Sequence, residues 1–235
     1  AANERSPDDP FGRFERDGWE QPDVCATYHE GFCEVTPLAI APLLDAVYNG
    51  TQRTLLDVAT GPGYAAAFAR ELGMTAIGLD FSVAQIRLAR SIHPGVDYIH
   101  GDALDLPFED DRFDAVICNM GLMHFSNPDK AIAEAFRVLK PGGRYAFSSF
   151  DTPDKTVGFG LFYDAVNRHG TMDVGLPDGP NYFRFSDPAT CIASLQRAGF
   201  TRVELRRTNV TWRLRSPESL MSFIERGTVR ASATL

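Results

Sequence analysis

An aspartate, a glycine-rich turn and a second aspartate about twenty residues on form the first pattern in this sequence that could do chemistry. The run is Asp57-Val58-Ala59-Thr60-Gly61-Pro62-Gly63-Tyr64-Ala65-Ala66, with Asp80 after it. Glycines there let a ligand approach the backbone closely. Gly61, Gly63 and Ala66 also satisfy a dinucleotide fingerprint, with Asp80 where a ribose-binding acid belongs, so a nicotinamide or flavin site is one reading. Asp57 speaks against it: a carboxylate beside the turn repels a pyrophosphate and suits a ligand with a cationic amino-acid end. Gly101-Asp102-Ala103 supplies a third acid, and Phe113-Asp114-Ala115-Val116-Ile117-Cys118-Asn119 ends in an amide. His124, in GLMHFSNP, is the candidate general base, against a plainer role of packing that loop. Tyr28 and His29 would reach the same place if the N-terminal segment folds across it.

These residues need a scaffold that brings strand ends together. Strands are expected at 54–58, 75–79, 96–100, 113–119 and 144–150, alternating with helices at 64–72, 82–91 and 128–139. Such alternation indicates β-α-β units and a mostly parallel sheet. A helix follows at 188–198, then two runs at 202–207 and 210–214 so close in sequence that they must form a hairpin. The expected fold class is therefore α/β: a doubly wound, Rossmann-like, mostly parallel seven-stranded sheet with an antiparallel last strand and helices on both faces. In chain order the expected parts are a lead-in and helical cap at 1–50, the sheet domain at 51–214, and a C-terminal helix at 215–235 whose short tail leaves truncation as one reading. The first 22 residues read as irregular.

Composition narrows the function. The chain has 235 residues, is 44% hydrophobic and 23% charged, and carries a net charge of −8, which argues against a nucleic-acid backbone as main partner. No apolar run is long enough for a membrane span and the N-terminus is no signal peptide, so a cytoplasmic protein is the expectation. Cys25, Cys33, Cys118 and Cys191 are scattered, and no H-E-x-x-H, G-x-S-x-G or carboxylate cluster appears, so no metal is expected. Arg202, Arg206, Arg207, Arg213 and Arg215 read as a solvated face. Between 152 and 186 lies a long Gly- and Pro-containing stretch with Phe159, Leu161, Phe162, Tyr163, Met172, Tyr182, Phe183 and Phe185. It is read as a substrate lid over an apolar pocket, against a plain hydrophobic cap on the sheet.

Taken in order, the Asp57 turn, Asp80, Gly101-Asp102-Ala103, the strand ending at Asn119 and Arg137-Val138-Leu139-Lys140-Pro141-Gly142-Gly143 closely resemble class I S-adenosylmethionine-dependent methyltransferases over about residues 51–150. Within that superfamily the chain is most similar to the small-molecule group that includes the ubiquinone and menaquinone biosynthesis C-methyltransferases. The resemblance implies S-adenosylmethionine as cofactor, S-adenosylhomocysteine as product, and methyl transfer by in-line displacement to a small molecule; if the stretch 152–186 walls a pocket, its rings favour an apolar or aromatic acceptor. It implies that Asp57, Ala59, Gly61 and Gly63 surround the methionine end, Asp80 accepts from both ribose hydroxyls and Phe81 packs on the adenine. Asp102 and the Ala103 amide would meet the adenine amino edge, and the Asn119 carbonyl the ammonium. Ala59 departs from the pattern, since the family often has a glycine there; alanine costs little only if its φ is negative. Two other readings stand beside this one: an NAD(P)- or flavin-dependent oxidoreductase, and a non-catalytic S-adenosylmethionine-binding protein.

Overall fold

The runs TLLDV and FDAVICN lack polar–apolar alternation because both of their faces are covered. Ala115, Val116, Ile117 and Cys118 are fully buried, as are Leu55 and Leu56. A computed structural model describes residues 9–171 and 173–234; Met172, counted in the expected lid, and residues 1–8 lie outside it. Five strands, β1 (Thr54–Val58), β2 (Thr75–Asp80), β3 (Asp97–His100), β4 (Phe113–Asn119) and β5 (Leu139–Ser148), form one sheet in the order β3-β2-β1-β4-β5. Every pairing is parallel.

Parallel strands need long crossovers, and helices supply them. On one face Leu56, Val116 and Cys118 share a core with Ile132 and Ala135 of α6 (Pro128–Arg137) and Leu195 of α8 (Pro188–Ala198). On the other, Leu55, Ala115 and Ile117 join Ile40, Leu44 and Val47 of α3 (Ile40–Val47), alanines of α4 (Tyr64–Glu71) and Ile86 of α5 (Val83–Ile92). The chain steps outward from β1 to β3, then returns to the other side of β1 as β4. That reversal opens a crevice at the carboxyl ends of β1 and β4, where sheets of this kind bind ligands.

Three departures from the sequence reading have identifiable causes. The lead-in is helical: α1 (Pro10–Trp19) starts at Asp9, whose carboxylate accepts from the Gly12 amide, and α2 (Pro22–Phe32) again has proline in its first turn. The stretch after Phe150 contains α7 (Val157–His169), whose Gly158 and Gly160 hide its periodicity while Phe162 and Val166 face inward four residues apart. The expected hairpin is absent: residues 201–214 run without strand pairing, and among the described residues the sheet has five strands rather than the expected seven. Trp212 instead stacks between Phe32 and Phe223 of α9 (Pro217–Gly227), which draws the segment toward α2. Arg206 and Arg207 are exposed and pair with Glu204 and Asp151. Among the described residues no helix is long and apolar enough to cross a membrane.

The strands are pinned at their start by Asp114. Its carboxylate accepts from the Arg53 and Thr54 amides and the Thr54 hydroxyl, each at 2.9 Å, and from Lys140 Nζ at 2.8 Å. Burial works to raise this carboxyl, but Lys140 and the strand donors outweigh it and hold it well below the usual carboxylate range. A carboxyl lowered in the folded state adds stability above its unfolded value, and that stability is lost as pH falls through the folded one. Asp114→Ala is expected to lower stability by about 1.5–3 kcal/mol at neutral pH. Denaturation of both proteins as a function of pH should show the gap closing below the ordinary carboxylate range.

Candidate functional site

The chain leaves β1 through a turn that only a few residue types accept. Gly61 and Gly63 have φ of +51° and +85°, and a Cβ on Gly63 would collide with the Tyr98 ring. Ala59 is also left-handed, with φ of +56°, so the condition for a harmless alanine is not met. That conformation costs an L-residue roughly 1–2 kcal/mol. Asp57 holds the turn from inside, accepting from the Thr60 hydroxyl at 2.6 Å and from the Ala66 amide in the first turn of α4 at 3.1 Å.

Asp80 does the equivalent work at the end of β2. One carboxylate oxygen accepts from the Gly61 amide and the other from the Ser82 amide, both at 2.9 Å. Ser82, not Asp80, caps α5: its hydroxyl accepts from the Gln85 amide and donates to the Trp19 carbonyl at 2.7 Å. The Val83 amide donates to Glu20. The N-terminal helices are thus anchored over the first turn of α5.

At the end of β4 the backbone again turns left-handed, at Met120, with φ of +54°. Asn119 Oδ1 accepts from the Ser148 hydroxyl at 2.7 Å, and Ser148 Oγ accepts from the Met120 amide. His124 follows in a short 3-10 turn, with Nδ1 at 2.9 Å from a Glu15 carboxylate oxygen.

One cavity gathers most of the residues expected from the sequence. Asp57, Ala59, Gly61, Asp80, Phe81, Asn119 and His124 all line it, and so does Tyr28. Gly63, Asp102 and Ala103 do not. Gly63 is turned against Tyr98, Ala103 is packed in the core, and Asp102 accepts from the Leu104 amide within its own loop. His29 sits beside the wall, hydrogen-bonded to the Tyr64 hydroxyl. Trp19, Thr36, Gln85 and Met120 are lining residues that the sequence reading missed. For Trp19 a usable signal exists in Asp9-Pro10, an N-cap followed by proline at the first helical position. Among the described residues no group of three or more His, Cys, Asp or Glu is placed to hold a metal ion.

Residues 56–147 match the family described as a methyltransferase domain. A demethylmenaquinone methyltransferase of Renibacterium salmoninarum is 39% identical over 111 residues, which is 47% of either chain. A ubiquinone/menaquinone biosynthesis C-methyltransferase of Brucella anthropi is 34% identical over 172 residues, 65% of either chain. A candidate methyltransferase of Bacillus halodurans C-125, of known structure, has a TM-score of 0.55 at 29% identity, over 70% of each chain. Over residues 56–147 the chain carries a methyltransferase domain, and over its matched part it is similar to class I S-adenosylmethionine-dependent methyltransferases. It spans about half the length of the demethylmenaquinone methyltransferases that it matches, 47% in the Renibacterium case.

The cavity suits the cofactor of that family. Asp57 and Asp80 are almost wholly buried, and among the described residues neither has an ion-pair partner. Burial pushes the Asp57 carboxyl up to about 7, with the nearby charge of Asp80 adding to the rise, and burial pushes Asp80 up to about 6. S-adenosylmethionine carries a sulfonium, an ammonium and a diol, and these cations and further donors suit carboxylates that keep spare acceptor capacity. Because the carboxyls are raised in the free protein, a cationic ligand that needs them ionised must displace protons. Calorimetry with S-adenosylhomocysteine, which keeps the ammonium and the diol, should therefore show affinity falling between about pH 8 and about pH 5, by up to about tenfold per pH unit for each carboxylate that must ionise. Proton release, read from buffers of different ionisation enthalpy, is expected across that range.

Proposed function

We propose that this protein transfers a methyl group from S-adenosylmethionine to a small apolar or aromatic acceptor. The observation that carries the reading is the pair of buried carboxylates at the ends of β1 and β2, with no salt bridge to either among the described residues, beside the crevice between β1 and β4. When bound, the cofactor supplies a methyl group already activated on sulfur. The chain's own residues then have to bind, orient and exclude water, and orientation can account for roughly 7–11 kcal/mol of a barrier.

In this reading Asp80 accepts from the ribose hydroxyls and Phe81 packs on the adenine. Asp57 and the Ala59–Gly63 turn take the methionine end, with the Asn119 carbonyl available to its ammonium. Asp102 and Ala103 take the adenine edge, with Asp102 Oδ2 free to accept while Oδ1 holds the Leu104 amide. Residues 51–214 form the cofactor domain, 1–50 a cap, 215–235 the C-terminal helix, and 152–186 a substrate lid. Support for the lid comes from the ring cluster of Phe159, Tyr163, Tyr182 and Phe183, in contact with Phe150 just after β5. Tyr182 also meets His124 edge-on, a contact that supports a lid adjoining the candidate base. An apolar or aromatic acceptor suits a pocket beneath such a lid. The relatives named above, by their own names, methylate quinone precursors, and an aromatic acceptor here agrees with that. Asp57 beside the turn disfavours a pyrophosphate-bearing nicotinamide or flavin cofactor.

Asp80→Ala is expected to weaken S-adenosylhomocysteine binding by about 10–150-fold, since hydrogen bonds to a charged group are worth roughly 1.5–3 kcal/mol. Asp80→Asn is expected to do comparable harm, because its amide nitrogen would face either the Gly61 or the Ser82 N–H. Calorimetry checks both, with NADH as the control ligand. Binding of NADH in preference to the adenosyl ligand would reverse the assignment.

A further inference from the structure

Glu15 is the most deeply buried acid outside the cofactor-facing pair, at 1% exposure, and it comes from α1, far from the sheet motifs in sequence. Three donors converge on it. His124 Nδ1 lies at 2.9 Å and Trp19 Nε1 at 3.1 Å from one carboxylate oxygen, and Arg230 Nε lies at 2.6 Å from the other. Arg230 also donates to the Met123 carbonyl at 2.9 Å, and its guanidinium lies over the rings of Phe11 and Tyr182. The cavity-facing rim of this cluster is Trp19 and His124, which line the same cavity as Asp57 and Asn119.

We propose that Glu15 is a positioning residue for methyl transfer: it fixes His124 with Nδ1 protonated, so that Nε2 is the proton acceptor offered to the substrate, and Arg230 locks Glu15 in place. The proposal rests on the methyltransferase reading and narrows it to acceptors with an ionisable hydroxyl. Burial alone would raise the Glu15 carboxyl, but His124 and Arg230 outweigh it and hold it below the usual carboxylate range. An ionised carboxylate can only accept, so Nδ1 must carry the hydrogen of the shared bond. That leaves the lone pair of a neutral imidazole on Nε2. A substrate hydroxyl gives its proton to Nε2, the O–H bonding pair remains on oxygen as the nucleophilic pair, and the imidazolium is paired with Glu15. A third group orienting a base is the recurring logic of base-assisted sites. The orienting carboxylate and its lock lie near opposite ends of the chain, so His124 is held in this way only when both terminal segments are docked.

Long-range proton–nitrogen NMR of the free protein reads the His124 tautomer directly, with His124→Gln to assign the signal. The Nδ1–H form is expected in the neutral ring; a dominant Nε2–H form would overturn the proposal whether or not a substrate is found. Kinetics with naphthohydroquinone as acceptor probe give the second readout. Glu15→Gln keeps the shape but cannot balance the imidazolium, and is expected to lower kcat by roughly 10–100-fold with the KM for S-adenosylmethionine nearly unchanged. A kcat within about twofold of the parent would overturn the proposal. Should Glu15→Gln fail to fold, Arg230→Lys, which keeps a charge but not the fork, is expected to show the same split in weaker form, and unchanged kcat there would count against it. Failure of S-adenosylhomocysteine to bind the parent protein would instead refute the underlying reading, and the tautomer measurement would still stand.

Discussion

An all-parallel sheet leaves the chain one place to open a ligand site, and the rest of this molecule is arranged around that constraint. Parallel strands are joined by helices that bury both faces, so neither face can hold a ligand. The strand ends remain, and connections from neighbouring strands diverge only where the order reverses, between β1 and β4. Asp57, Asp80 and Asn119 lie at or near the ends of three strands around this point. Their convergence follows from the register, which sets Asp57 beside Gly78 and Ile117.

Two carboxylates at such a place are a source of instability as well as of binding. Each is removed from water, and the Asp57 carboxyl is raised further by the charge of Asp80. The protein offsets this locally, with two donors on Asp57 and two on Asp80. Those same bonds shape the turn between β1 and α4, so the site's electrostatics and its backbone are one structure. The left-handed Ala59 belongs to the same account: local strain is held in place because its surroundings leave the turn no other path.

The N-terminal helices are held at the crevice by polar contacts as well as by ring contacts. Ser82 and Val83, at the start of α5, bond to Trp19 and Glu20 at the end of α1, while Glu15 spans His124 and Arg230. A buried ion cluster of this kind contributes little net stability, but breaking it leaves an uncompensated charge. It therefore fixes geometry more than it adds free energy. The aromatic cluster centred on Phe159 and Tyr182 meets this cap at His124, so the apolar cluster and the polar cap join at one ring.

The sequence by itself determined the strands β1, β2 and β4, the helices between them and the gathering of Asp57, Gly61, Asp80 and Asn119 at the strand ends, where they line one cavity. These depend on short-range rules: buried strands read as apolar runs, and a glycine turn must follow its strand directly. Asp102 was placed correctly after β3, but its side chain serves its own loop, because an aspartate in a turn takes the nearest amide. Only the tertiary structure decided the rest. The runs at 202–207 and 210–214 have strand character, yet packing of Trp212 between Phe32 and Phe223 decides where that segment lies. Glu15, Trp19 and Arg230 carry no motif, because nothing in local sequence requires that a charge on α1 meet one near the other end of the chain. That pairing exists only once both terminal segments lie over the sheet and burial forces each charge to find its partner.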